Sequence, residues 1–292
     1  MVGIQVLEAL DGLQWLRTGE EVAKRFSISQ PTVTRYCSKA LQVFDLELER
    51  RDGEWELNGD QTILLMQRRV HQMARLQGLS ALRLEAAYWN ATTYCSTLPQ
   101  GWLLGQSNMV GISRNFRLLR ERVIDCWVAG LPDIPQCDDP ELGAVVLSDM
   151  PVFFTCSPEH PILKRQQIDY CDIAEFPTLA LPKGAYPLVE RSLGTLGLWN
   201  DGVRMTRYRR DAWEGRSEAD LVIGYATPLS MMVSGGNLCR LPLLLPFRSG
   251  DALVARRELI GHPVVDDLLD HLNARIALLS DDIEELNHAC AL

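Results

Sequence analysis

Leu7, Leu10, Leu13 and Leu16 recur every third residue and mark the apolar stripe of a first helix. Thr18-Gly19 breaks that stripe. Thr18 has N-cap chemistry with Glu21 three residues on, which predicts a second helix over 19–26 that buries Val22, Ala23 and Phe26. Ser29-Gln30-Pro31 opens a third, with Ser29 as N-cap and Pro31 in the only turn that tolerates it. Its buried face runs through Val33, Cys37, Leu41 and Phe44. Residues 46–51 and 54–57 then alternate apolar and polar on either side of Asp52-Gly53, a favoured two-residue hairpin turn. Three helices followed by a β-ribbon predict a winged helix-turn-helix over 1–59.

Over 60–80 the period returns to that of a helix. Ile63, Met66, Val70 and Met73 follow a 3-4-3 spacing, the narrow seam of a coiled coil, while Arg68, Arg69 and Arg75 fall on other faces. This predicts a linker helix that pairs two copies of the chain. From Ala81 onward strand patterns (82–88, 123–128, 144–147, 152–155, 178–181, 221–225) alternate with helical ones (189–198 and a last helix over 262–279). That alternation predicts an α/β body over 81–292 with largely parallel sheets, so the whole chain reads as α+β and multidomain.

Composition agrees with a globular protein, since 47% hydrophobic and 23% charged residues supply full-sized cores without staples. The eight cysteines show no Cys-x-x-Cys or zinc-site spacing and read as reduced and mostly buried. No signal-peptide pattern opens the chain and no run of about 18 apolar residues occurs, so a cytoplasmic protein without membrane association is expected. The net charge of −9 would repel nucleic acid, but it is unevenly spread. Residues 1–80 carry ten Lys/Arg against eleven Asp/Glu, and the remainder nineteen against twenty-seven.

The segment Ile28-Ser29-Gln30-Pro31-Thr32-Val33-Thr34-Arg35 resembles the start of the recognition helix of LysR-type transcriptional regulators, V-S-Q-P-[AT]-[VL]-S-R. Val22-Ala23-Lys24-Arg25-Phe26 is similar to the family's A-A-x-x-L, and Leu48-Glu49-Arg50-Arg51 to its wing. Weaker similarities follow in order at 120–125, at Ser157-Pro158-Glu159-His160-Pro161-Ile162, at Ile223-Gly224-Tyr225-Ala226-Thr227-Pro228 and at Gly261-His262-Pro263. The sequence departs from the pattern with Leu48 in place of the wing Phe, with Asp45 near the usual glycine turn and with 57–60 in place of L-T-x-A-G. Glu47, Glu49, Glu54 and Glu56 also make the ribbon acidic.

Short polar side chains on the first turns of a recognition helix let its backbone approach the major groove. Ser29, Gln30, Thr32 and Thr34 are therefore candidates for phosphate or base contacts. Gln30 suits an adenine edge and Arg35 a guanine edge. Lys39, Arg50 and Arg51 are candidates for phosphate. The resemblance further implies a two-lobed effector domain built like a periplasmic binding protein, with lobe I at 81–147 and 247–292 and lobe II at 148–246. Strand-to-helix turns offer free N–H groups to anions. The candidates for a small effector, anionic by that chemistry, are Trp89, Asn90, Thr92 and Thr93, then Lys183 and Gly184, then Tyr225 and Thr227.

No nucleophile elbow, phosphate loop or metal cluster is evident, and no enzyme, cofactor or metal site is expected. Asp267, Asp270 and His271 share a helix face and read as solvated, as do the acids over 281–285. The expected function is an effector-controlled, sequence-specific DNA-binding regulator working as a homodimer or homotetramer. The alternative is a degenerate regulator that acts through protein contacts, and an enzyme or carrier of the same α/β fold ranks third.

Overall fold

A computed structural model describes residues 1–283 and 285–288; Glu284, Cys290 and the side chain of His288 lie outside the described residues. The first three helices are α1 (Ile4–Leu16), α2 (Gly19–Arg25) and α3 (Gln30–Phe44). The caps read from sequence close them: Thr18 Oγ1 accepts from the Glu21 N–H at 3.2 Å, and Ser29 Oγ from the Thr32 N–H at 3.3 Å. Asp45 ends α3 in the left-handed conformation (φ 53°), a role a short polar side chain fills where glycine is absent. Strands β1 (Glu47–Arg51) and β2 (Glu54–Asn58) pair antiparallel across Asp52-Gly53, both at positive φ as a type I′ turn requires.

Helix α4 (Thr62–Leu76) follows. Its four seam residues Ile63, Met66, Val70 and Met73 are all half or more exposed, and Leu65 beside them is 40% exposed. The opposite face is polar and buried: Gln67, Arg68, His71, Gln72 and Arg75 all point inward.

The α/β body begins with β3 (Leu82–Ala86), α5 (Tyr88–Thr92), β4 (Trp102–Leu104), α6 (Ser113–Arg120) and β5 (Cys126–Gly130). The long strand β6 (Leu142–Cys156) leads to α7 (Tyr170–Ala174), β7 (Leu179–Ala180), α8 (Pro187–Gly194) and β8 (Asp201–Gly202). Then come α9 (Glu214–Ala219), β9 (Gly224–Ala226), α10 (Pro228–Ser234), the long strand β10 (Cys239–Arg256), α11 (Pro263–Ser280) and β11 (Asn287–His288). The main sheet has the order β11-β6-β10-β5-β3-β4, with β9 also on β6.

Two expectations change here. The segments 144–147 and 152–155 are one continuous strand, and β10, unrecognised in the sequence, runs antiparallel beside it from Leu142↔Arg256 to Cys156↔Cys239. The sheets are therefore not largely parallel: β3 pairs parallel with β4 and β5 and β7 with β8, while β6, β9, β10 and β11 pair antiparallel. Prolines hid β10, because Pro242 and Pro246 lack the N–H a ladder needs. The chain accommodates them by register shifts between Arg240, Leu244 and Arg248. Midway along the β6–β10 ladder, the Asp251 N–H donates to Ser148 Oγ at 3.1 Å and the Ser148 hydroxyl to Asp251 Oδ2 at 3.0 Å. Gly250 between them has φ 149°, and a Cβ there would lie 2.0 Å from the Ser148 carbonyl oxygen, so no other residue fits.

One apolar core packs α11 (Val265, Leu268, Leu272, Ile276) on the sheet. A second lies under the far ends of β6 and β10. A third is shared: α1, α2 and α3 continue through Leu64 into Leu118, Leu119, Ile124 and Trp127 of the α/β body. The winged helix-turn-helix is thus docked on the body of its own chain. No helix among the described residues is long and apolar enough to cross a membrane.

Candidate DNA-recognition face and ligand cleft

Burial of Val33, Cys37, Ala40 and Phe44 fixes the rotation of α3 and turns its other face outward. Gln30, Pro31, Thr34, Arg35 and Lys39 are exposed, and Ser29 begins the same face. Thr32 is half-buried, its hydroxyl 2.8 Å from Ser29 Oγ, and the Thr34 hydroxyl donates to the Gln30 carbonyl at 3.4 Å. Gln30, Arg35 and Lys39 carry the longest polar side chains of this face, with Arg35 resting 5.5 Å from the Tyr36 ring centre.

The wing is less acidic than its sequence. Glu54 turns inward to Arg17 at 2.9 Å and Arg114 of α6 at 2.7 Å. Glu49 pairs with Arg51 at 2.8 Å, and that guanidinium is also 3.8 Å from Glu56. Arg50 lies over the Trp55 ring at 5.7 Å. Arg50 and Arg51 are exposed, but each is partnered within the ribbon.

Charged residues hold the module to the body in a buried network. Arg68 donates to Asp11 at 2.8 Å and to Glu121 at 3.1 Å; Arg83 reaches Asp11 at 3.4 Å. Arg75 grips both oxygens of Asp125 at 2.8 Å. Three guanidiniums face three carboxylates, so charge within this network is matched. Burial lowers the Arg83 guanidinium below its ordinary value, whereas Asp125 holds that of Arg75 above its own despite burial.

The cleft between the lobes is closed in this structure. Met109 bridges Arg207 as in a short antiparallel pair, and the Tyr208 N–H donates to the Asn108 carbonyl at 2.7 Å. Asp133 caps α8 from the other lobe, accepting from the Leu188 N–H at 2.8 Å. A cavity of about 210 Å³ lies inside. Its wall is mostly apolar and aromatic, and contains neither Lys, Arg nor His. Glu214 is its one carboxyl, 6% exposed, and burial raises its pKa. The Tyr208 hydroxyl donates to Glu214 Oε2 at 2.7 Å.

Of the residues expected around the effector, Trp89, Tyr225 and Thr227 line the cavity, while Asn90, Thr92, Thr93, Lys183 and Gly184 do not. The hydroxyls of Thr92 and Thr93 turn back onto carbonyls of their own helix, at 3.1 Å and 2.7 Å to Trp89 O. Asn90 is buried against the Tyr94 hydroxyl. Lys183 is exposed, and the Gly184 N–H is taken by Glu190 at 2.7 Å. Lys183, the one positive side chain expected at an anion site, is not on the wall of this cavity. Sequence reasoning missed Met109, Tyr208, Trp213 and Glu214; the aromatic density over 199–225 was the available signal. Among the described residues no group of acids, histidines and cysteines could hold a metal, and His271 instead lies 2.9 Å from the Thr97 carbonyl oxygen.

This order of a winged helix-turn-helix, a connecting helix and a two-lobed α/β body is a fold the chain shares with solved full-length proteins, CbnR of the LysR family among them. The chain is similar to a full-length OxyR variant from Pseudomonas aeruginosa (15% identity, 100% of this chain and 99% of that one, TM-score 0.60). It is also similar to CbnR in complex with its target DNA (13%, 94% and 100%, TM-score 0.54) and to full-length BenM (15%, 96% and 98%, TM-score 0.52). No family model matches the chain, and no curated protein matches it in sequence.

Proposed function

We propose that this protein is a sequence-specific DNA-binding transcriptional regulator whose grip on its operator responds to a small molecule in the cleft. One observation carries the coupling: the cavity wall and the anchor points of the DNA-binding module are neighbours on the same backbone. Ala86 lines the cavity and Glu85 accepts the Trp15 indole N–H. Asn115 lines it, and Arg114 donates to the Gln14 and Trp15 carbonyls at 3.0 Å and 2.6 Å. Met109 lines it and takes a contact from Arg17. A ligand that shifts these segments has a direct path to α1 and the wing.

The domain boundaries that follow are 1–59 for DNA binding, 60–80 for the linker, 81–147 with 247–292 for lobe I and 148–246 for lobe II. The exposed apolar seam of α4 suits pairing of two copies in the cytoplasm. CbnR, which shares the fold, forms a complex with its target DNA, and the exposed α3 face here is in keeping with the same kind of partner.

A mobility-shift titration over a range of salt on DNA from the gene's own promoter region tests this. Sequence-preferring binding whose affinity falls steeply with salt is expected. A log–log slope near zero without sequence preference overturns it in favour of a protein-contact role.

A further inference from the structure

We propose that the cleft takes a small amine, an apolar ring-sized body carrying a protonated nitrogen. The assignment rests on the reading of the cleft as a ligand site and adds the ligand's charge. A charged carboxyl in an apolar wall is costly unless it is paired. Glu214 has only a neutral hydroxyl, that of Tyr208, as a side-chain partner. Arg210, whose charge is felt at Glu214, makes its bonds to Glu218 and to the carbonyls of Ser234 and Gly235 instead. No cation lines the cavity to balance a carboxylate ligand or to compete for Glu214.

The surrounding rings favour the same charge. Tyr208 sits between Tyr88 and Trp89 of the opposite lobe, with ring centres 4.7 Å and 4.5 Å away. Trp213 precedes Glu214 and meets Trp199 at 6.3 Å. Electron-rich ring faces attract a cation, more strongly where water is excluded. Asn108 Oδ1, also on the wall, is buried without a donor and offers a second acceptor to an ammonium. The hydroxyl and indole groups of the wall could donate to an anion, but no cation is there to balance its charge and the Glu214 carboxyl would repel it. The small volume restricts the body to about one ring, because drug-sized ligands occupy pockets from ~300 Å³ upward.

Calorimetry with three probes of one shape separates the charges: phenethylamine, phenethyl alcohol and phenylacetate on the full-length protein. Phenethylamine is expected to bind about tenfold or more tighter than phenylacetate, with the alcohol between them. In Glu214→Gln the amine's advantage over the alcohol is expected to vanish. Phenylacetate binding as tightly as the amine, an amine advantage that survives Glu214→Gln, or no binding of phenethylamine to millimolar concentration would each overturn the assignment. If the variant fails to fold, the wild-type comparison decides alone. Binding of the alcohol or the acid in place of the amine would leave the cleft a ligand site while removing the amine, and operator binding is judged separately by the salt titration.

Discussion

The Trp15 indole nitrogen donates to Oε2 of Glu85 at 2.8 Å, while Oε1 of the same carboxylate accepts from the Ser107 N–H at 2.7 Å. One side chain thus holds the winged helix-turn-helix on one oxygen and, on the other, the residue that precedes Asn108 of the cavity wall. Trp15 and Glu85 are both about 1% exposed, so a lost partner is not replaced by water. Trp15→Phe and Glu85→Gln are each expected to lower unfolding free energy by about 1–3 kcal/mol in chemical denaturation. The double variant should cost less than the sum. Strict additivity would show that the two groups do not interact.

Arg68 is the centre of the buried network, bonded to Asp11, Glu121 and Gln14 from a helix that otherwise exposes its apolar face. Arg68→Ala leaves Asp11 charged and buried, with only Arg83 at 3.4 Å. A loss of about 3–5 kcal/mol is expected, read as a fall in the thermal midpoint. A change under about 1 kcal/mol would mean that the module is not docked this way in solution.

The helix-turn-helix was legible because its signals are local. Ser29, Pro31 and Asp52-Gly53 each act on backbone within a few residues, and a cap or a turn looks the same in any fold. Strand β3 was legible as a strand but not in its surroundings. Its alternation suggests one wet face, yet all five residues are buried, since Arg83 and Glu85 meet Asp11 and Trp15 of α1 instead of water. An ionic face against another module and an ionic face against solvent have the same sequence. The cleft was least legible, because Met109, Glu214 and Trp89 come from segments that only the closed lobes bring together.

The wing gives a test on DNA. Arg51 is held by Glu49 at 2.8 Å on the exposed ribbon, where such a pair is worth little to stability. Glu49→Gln removes the nearer partner and leaves the Arg51 guanidinium only Glu56 at 3.8 Å, so the magnitude of the salt slope should rise by up to about 1. Glu54→Gln acts away from DNA, on Arg17 and Arg114, and should leave the slope unchanged while loosening the docked module. Arg35→Ala should weaken the preferred site by about 1–3 kcal/mol and unrelated DNA much less. An equal loss on every sequence would make Arg35 a phosphate contact.

The linker helix also sets a pH dependence. His71 is 8% exposed beside Gln67, its Nε2 lying 3.1 Å from the amide nitrogen. Burial holds its pKa below the ordinary 6.5, with Arg75 and Arg83 acting in the same sense and Asp11 and Glu8 against it. The unfolded chain therefore takes up this proton first as pH falls. The histidine's share of stability is complete above pH ~7 and is lost as pH drops through 6.5 toward the lower folded value. His160, buried at the start of its 3-10 turn and lowered by burial, adds a loss of the same sign. Buried acids with raised pKa, Asp251 and Glu214 among them, act oppositely as pH falls through their own folded values, so the wild-type curve alone mixes several groups. His71→Gln keeps a polar partner for Gln67 and removes the titration. The difference between the two denaturation profiles should be flat above pH ~7 and shift in favour of the variant over the unit or so below it. Parallel profiles across that window would show that His71 carries the same proton affinity folded and unfolded, and that this face of the linker helix is open to water.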